Sequence, residues 1–457
     1  MQSRSQEINF WFTFIPLVIE FGMVCFFYNI DIVIASLMFG CFLIGSFLKV
    51  QFELVSVLTL YFLIPSDAVS YLFVISPLGK FPLYIILIFI FIIINLFNRK
   101  VNTRYFEKNE FNIFVGLFMI IICQTMCLLV FSANEILSNM VKFIAQTVGI
   151  LILVKTMNIR ENDIIRVCFF ILFLSTVTII EGGFELFGGF NLYSIYGNTD
   201  ISNWLEWMAN SRTSLWRVKS TFANPLIYSS AMVLSLTCVE YIKDRIKNTI
   251  IPLVLITILA VGMLMGGSRS SIVILAIYLI YYVINSSVKQ KIFFILGILI
   301  VSVLLLHFMD LSLVVERFSQ SNSDGSVRHR LSAYSVFVSV FSRYFLIGCG
   351  LGNTYNVLDN EISGSFTVNT FDNAFMDFGL AVGIIGLTAL CIVFKGVVGI
   401  CKKKDHKLVM FAALLLFALS FFLNTTKYQS LWGIFWIYAA LNIYAEPEYN
   451  RKDGIVL

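Results

Sequence analysis

Arginine is placed in this sequence where its geometry, more than its charge, is in demand. Arg212 and Arg217 lie in one long polar stretch, Arg269 in the short GGSRSS, and Arg317, Arg328, Arg330 and Arg343 in a second long stretch. A guanidinium is planar, presents a fork of donors that grips phosphate oxygens in pairs, and is weakly enough hydrated to work beside a membrane. The connections elsewhere in the chain that are rich in basic residues use mainly lysine. The competing reading pairs these arginines structurally with Asp310, Glu316, Asp324, Asp359 and Glu361. As a set, spread over three connections, they point to a bound anion, and a diphosphate at the lipid boundary fits best.

Other reactive residue types argue for less. Gly348, Gly350 and Gly352 resemble a nucleotide loop only superficially, because a dinucleotide fingerprint needs a preceding strand. They read instead as a helix stop and tight turn. No CxxC pair is present, and Cys349 alone falls in an outer segment, so neither a metal site nor a disulfide framework is expected. No cofactor and no nucleic-acid partner are expected either. His307 and His406 read as structural.

The elements that must hold these residues are membrane helices. The 457 residues are 59% hydrophobic and 13% charged, with a mean hydropathy of +0.88. A soluble core stops growing near about 250–300 residues and cannot hide that much apolar surface. Apolar runs occupy approximately 10–28, 31–48, 52–65, 81–97, 111–131, 137–155, 166–188, 225–241, 249–265, 270–285, 292–308, 379–398, 407–423 and 431–445. The expectation is an all-α integral membrane protein, one membrane domain over 1–457 with about fourteen transmembrane helices. The first run has no cleavage site behind it and reads as a crossing.

Orientation follows from lysine and arginine in the short loops. Lys100, Lys108, Lys155, Lys243, Lys289, Lys402 and Lys452, with their basic neighbours, fall on one side when the helices alternate. That side is read as the cytoplasm, with both termini there. The net charge of +5 says less than this distribution. Two connections on the other side, 189–224 and 309–378, are far longer than the about 2–8 residues usual between bundle helices. The second contains an expected amphipathic helix at 331–346 lying along the outer interface. Among the charges inside the apolar runs are Glu20, Glu53 and Lys142, and the last two sit near run ends where they can snorkel.

The order RVKSTFANP at Arg217, GGSRSS at Arg269, DGSVRHRLSAY at Arg328 and Arg330, LIGCGLGN, then NTFDNAFMDFGLAVGIIG with Asp372–Asn373 resembles the O-antigen polymerase and ligase superfamily of membrane glycosyltransferases. The likeness covers about 215–395. Each piece is weak alone and their co-occurrence is more specific. Tyr334 replaces the tryptophan usual after the arginine. Asp372 stands where the ligases carry a histidine, and the Asp-Asn form is more like the polymerases.

The resemblance implies a metal-independent enzyme that uses undecaprenyl-diphosphate-linked oligosaccharides within membrane lipid at the outer face. A chain-length regulator and a flippase of the same pathway are then possible partners. Arg217 and Arg330 take the position of the diphosphate-binding pair, and Arg212, Arg269, Arg328, His329 and Asn373 that of further substrate contacts. Fixed arginines stabilise a leaving diphosphate more as its charge grows, and a carboxylate can accept the proton of the attacking hydroxyl. Asp372 is the first candidate for that base, with a helix N-cap as its structural alternative. His329, kept neutral by two flanking arginines, is the second. The polymerase reading competes with an O-antigen ligase and, from another class, with a flippase for lipid-linked saccharides. A flippase would concentrate its charges between helices rather than in long loops.

Overall fold

The structure is a computed structural model. It describes residues 32–64, 72–75, 79–98, 107–131, 134–157, 159–188, 218–222, 224–243, 245–246, 250–285, 291, 325–361, 371, 373–404, 407–421 and 429–445. The expected runs at 10–28 and 292–308 lie outside these residues.

In hydrocarbon every backbone polar group must be bonded within the protein, so apolar runs become helices. They are α1 (Ile32–Phe47), α2 (Phe52–Leu63), α3 (Leu83–Asn98), α4 (Lys108–Phe131), α5 (Asn134–Thr156), α6 (Glu161–Gly188) and α7 (Pro225–Lys243). Then come α8 (Ile250–Gly266), α9 (Arg269–Asn285), α10 (Gly325–Phe341), α11 (Thr354–Glu361), α12 (Ala374–Lys404), α13 (Lys407–Ser420) and α14 (Gln429–Tyr444). Five, namely α4, α5, α6, α7 and most of α12, are long and apolar enough to cross a membrane. Shorter apolar helices of 10–17 residues accompany them.

Several expectations are corrected. The described residues are nearly all helical, as expected, with one short addition: Leu72–Ile75 (β1) pairs antiparallel with Gly79–Pro82 (β2), Leu72 opposite Pro82. The helix expected at 331–346 begins at Gly325 and ends at Phe341, so Arg328, His329 and Arg330 belong to the helix itself rather than to the loop before it. Helix α5 carries a wider π-helical segment at Ala145–Gly149. Glu53 does not snorkel but is buried at the start of α2.

Helices α2 and α14 are buried almost all round, as expected for apolar helices at the centre of a bundle. Apolar stripes elsewhere face outward, such as Ile277, Ile280 and Ile284 on α9 and Ile180, Phe184 and Phe187 on α6. Surfaces of that kind are too apolar for water and suit lipid.

Small residues let neighbouring backbones approach closely. A Cβ at Gly116 of α4 would lie 2.6 Å from the Ala389 carbonyl, and one at Gly396 of α12 would lie 2.7 Å from the Asn109 carbonyl. These two contacts make α4 and α12 antiparallel. Helices α6 and α7 are antiparallel as well, with Ser175 and Ser235 hydroxyls 2.8 Å apart mid-span and Arg245 bonded to Glu161 at 3.0 Å. Lys155 lies over the Tyr444 ring. The start of α4 therefore lies beside the lysine-bearing end of α12, and the start of α6 beside the end of α7.

Candidate functional site

At the opposite end, the last turns of α6 carry Glu181 and Glu185, one helical turn apart and 4% and 0% exposed. The turn Val218–Phe222, directly after Arg217, lies against them. The Glu185 carboxylate accepts the backbone N–H of Lys219 at 3.3 Å and of Ser220 at 2.7 Å. The Ser220 hydroxyl lies against the Thr178 carbonyl (3.0 Å) and the Glu181 carboxylate.

Ser220 has a φ of +52°. A side chain in that left-handed region is strained, and the conformation persists only where its surroundings over-determine it. Here they do. The Thr221 hydroxyl bonds the Phe62 carbonyl at the end of α2, and Phe222 packs edge-on against Phe62 and Tyr228. Burial pushes the Lys219 amine below its ordinary pKa, while the Glu185 and Glu181 charges oppose that shift.

The same turn is tied to the arginine hairpin. The Val218 N–H donates to the Met265 carbonyl at 3.2 Å, in the last turn of α8. Only Gly267 and Ser268 separate α8 from α9. Ser268 is buried, and its hydroxyl lies 3.5 Å from the Ser271 N–H, in the position of an N-cap. Arg269 is the first residue of α9, at the tip of the tight hairpin expected from GGSRSS.

The second half of the site is built by α10, α11 and α12. Ala333 and Val340 of α10 are buried with Cys349, Leu358, Phe371, Met376 and Leu380 in a small separate core. Tyr334 is half exposed, one turn past Arg330. Beyond α10 the chain turns through Gly348, Gly350 and Gly352, all at positive φ, which bears out the tight turn.

Helix α12 is not one helix. At Gly383 (φ 64°, ψ −170°) its path breaks, and the segment after α10 fills the gap. Ile384 and Ile385 donate to the Phe345 and Leu346 carbonyls at 2.8 and 3.2 Å, and Cys349 and Gly350 donate to the Leu380 and Ala381 carbonyls, each at 2.9 Å. The break is thus satisfied by protein rather than left for a ligand. Its first half is oriented by Asn373, whose side-chain oxygen accepts the N–H groups of Phe375 at 2.8 Å and Met376 at 3.3 Å. Asn373 is the N-cap of α12, and its amide also donates to the Phe421 carbonyl at 3.3 Å. An apolar recess lined by Phe375, Phe378, Phe394, Phe417 and Trp432 opens beside it.

Arg212, Arg217, Arg317 and Asp372 lie outside the described residues, as does most of 189–224. Arg328, His329 and Arg330 lie in the first turns of α10, and their side chains are likewise outside the description. What the structure brings together is the turn after Arg217 with the hairpin of Arg269, and separately α10 with the Asn373 cap. Glu181 and Glu185 were missed in the sequence because the 166–188 run averages as apolar. The signal was there: two carboxylates four residues apart in EGGFE interrupt a hydrophobic helix, and such residues mark function by default.

Residues 253–391, from α8 into α12, match the O-antigen ligase family, which is less than half of the chain. No curated protein matches. The chain is a nearly all-helical membrane protein with a region similar to O-antigen ligases.

Proposed function

We propose that the protein is a polysaccharide repeat-unit polymerase of the outer face of a bacterial plasma membrane, with its lysine-rich end and both termini cytoplasmic. It transfers a growing undecaprenyl-diphosphate-linked glycan onto the non-reducing end of a lipid-linked repeat unit. The observation that carries this reading is the family match over 253–391, which spans Arg269, Arg330 and Asp372–Asn373 in their expected order. Aspartate rather than histidine at 372 favours the polymerase. The description of the matched family favours a second reading, an O-antigen ligase.

In the proposed reaction the acceptor sugar hydroxyl attacks the anomeric carbon of the donor glycan. Its proton passes to the Asp372 carboxylate, the carbon–oxygen bond to the diphosphate breaks, and undecaprenyl diphosphate leaves. A single displacement inverts the anomeric centre. Arg217 and Arg330 hold the diphosphate as it gains charge, and Arg212, Arg269, Arg328, His329 and Asn373 contact the substrate. The arginines supply the positive charge, so the transfer is metal-independent.

The length distribution of surface glycan in a deletion strain tests the reading. Glycan carrying single repeats supports a polymerase. Complete loss of surface glycan overturns that reading in favour of a ligase or flippase.

A further inference from the structure

Two buried carboxylates beside a strained turn have no part in the reaction just described. An ionised group taken out of water is costly unless its oxygens are hydrogen-bonded. Glu185 meets that condition by accepting two successive backbone N–H groups, those of Lys219 and Ser220, at 3.3 and 2.7 Å. Bonds of this kind, charged on one side, are among the strongest available to a backbone. Glu181 takes the Ser220 side chain. The turn so held carries a non-glycine residue at φ +52°, and its first residue is bonded to Met265 at the base of the Arg269 hairpin.

We propose that Glu185, seconded by Glu181, is a positioning residue of this site: it locks the Lys219–Ser220 backbone and so fixes the register of the Val218–Phe222 turn against the Met265–Arg269 hairpin. Two connections separated by the two helices α7 and α8 thereby share one frame. Arg217 is covalently joined to that frame at Val218, and Arg269 belongs to it. The inference rests on the proposed role of Arg217. Glutamine is the informative replacement for Glu185. It has the same shape, but offers one acceptor oxygen and turns an N–H donor toward a backbone that also donates.

The test compares the wild type with E185Q, R217K and the double variant, at matched membrane abundance. The substrate is lipid-linked repeat units extracted from the deletion strain. E185Q is expected to lower kcat at least tenfold with KM changed less than about threefold, because a displaced clamp acts on the leaving group in the transition state. The double variant is expected to be no worse than the slower single variant to within about twofold, because coupled residues are not additive.

A wild-type rate for E185Q, or a double loss equal to the product of the single losses, overturns the positioning role while leaving the function standing. A wild-type rate for R217K overturns the positioning role together with the diphosphate role of Arg217, and still leaves the polymerase standing. Should E185Q fail to accumulate, Ser220→Gly probes the neighbouring tie, the Ser220 hydroxyl on Glu181, while the Ser220 N–H to Glu185 is kept. Glycine adopts φ +52° without strain, so the chain folds, yet the hydroxyl tie to Glu181 and Thr178 is gone. A smaller loss of kcat, non-additive with R217K, is expected from the Glu181 tie, and a wild-type rate overturns the inference that the two carboxylates together fix this turn.

Discussion

The Gln124 side chain on α4 accepts the backbone N–H of Leu351 at 2.6 Å, across 227 residues of sequence. Its own amide donates to the Ala381 carbonyl at 3.4 Å, so one buried side chain joins α4, the glycine turn and the break in α12. Removing one partner of a buried hydrogen bond costs about 1–3 kcal/mol. Gln124→Leu is therefore expected to lower the thermal unfolding temperature of the purified protein. Gln124→Glu, measured at a pH low enough to keep the buried carboxyl protonated, retains an acceptor for Leu351 and a donor for Ala381 and should lower it less. Equal shifts for the two would show that the acceptor bond to Leu351 is not what matters.

Gly348 is at φ +79°, and a Cβ there would lie 2.3 Å from the Ala381 carbonyl. Both the strain and the backbone clash predict that Gly348→Ala sharply reduces folded protein in the membrane. Gly183 is the control, because nothing lies within 4 Å of its would-be Cβ. In a helix interior, alanine there is favourable by up to about 1 kcal/mol. Immunoblots of membrane fractions should show a large loss for the first and none for the second.

The cap formed by Asn373 allows stability and activity to be separated. Asn373→Ala loses the N-cap, worth about 1 kcal/mol, whereas Asn373→Asp keeps an oxygen for the Phe375 and Met376 amides. If Asn373 also contacts substrate, the Asp variant should unfold near the wild-type temperature and still polymerise more slowly. A wild-type rate for Asn373→Asp would reduce the residue to a cap.

Arg→Lys retains charge and loses the paired donor geometry. A charge-assisted hydrogen bond contributes about 1.5–3 kcal/mol, and each ~1.4 kcal/mol is tenfold in rate. Arg217→Lys and Arg330→Lys should each slow polymerisation at least tenfold at normal membrane abundance. Arg317→Lys, at a position that matches no motif, should leave chain length unchanged. Normal chain lengths from both of the first two variants would remove the diphosphate clamp.

Asp372→Asn keeps the size of the side chain and removes its capacity to accept a proton. Turnover should fall to background while retention of radiolabelled lipid-linked repeat units by the membrane protein stays close to wild type. Residual turnover within tenfold of wild type would pass the role of base to another residue, with His329 next in line.

Much of the fold was legible because lipid imposes a simple pattern. The run at 166–188 became Glu161–Gly188, and that at 249–265 became Ile250–Gly266, each displaced by a few residues at most. What escaped depended on partners distant in sequence. GLAVGIIG reads as a smooth apolar helix, and only the Phe345–Gly350 segment laid into it explains the break at Gly383. The β1–β2 hairpin sits in a stretch too short and mixed for periodicity to declare itself.

At the site, the adjacent Asp372 and Asn373 are both good capping types, so local sequence could not choose between them, and Asn373 is the cap. Glu181 and Glu185 vanished into a hydrophobic average. Their meaning appears only with the Lys219 and Ser220 amides beside them.

The break at Gly383 also changes how force travels through α12. A continuous helix is a stiff rod and carries torque from one end to the other. Here the rod is cut, and the cut is bridged sideways by backbone pairing to the chain leaving α10. Below the cut, Gly396 and Gly399 clamp the lysine-bearing half against α4. Above it, the half that begins at Asn373 is coupled to the linker between α10 and α11. The linker bonds both sides of the cut, Leu380 and Ala381 before it and Ile384 and Ile385 after it, so the two halves of α12 are joined through a segment from outside the helix.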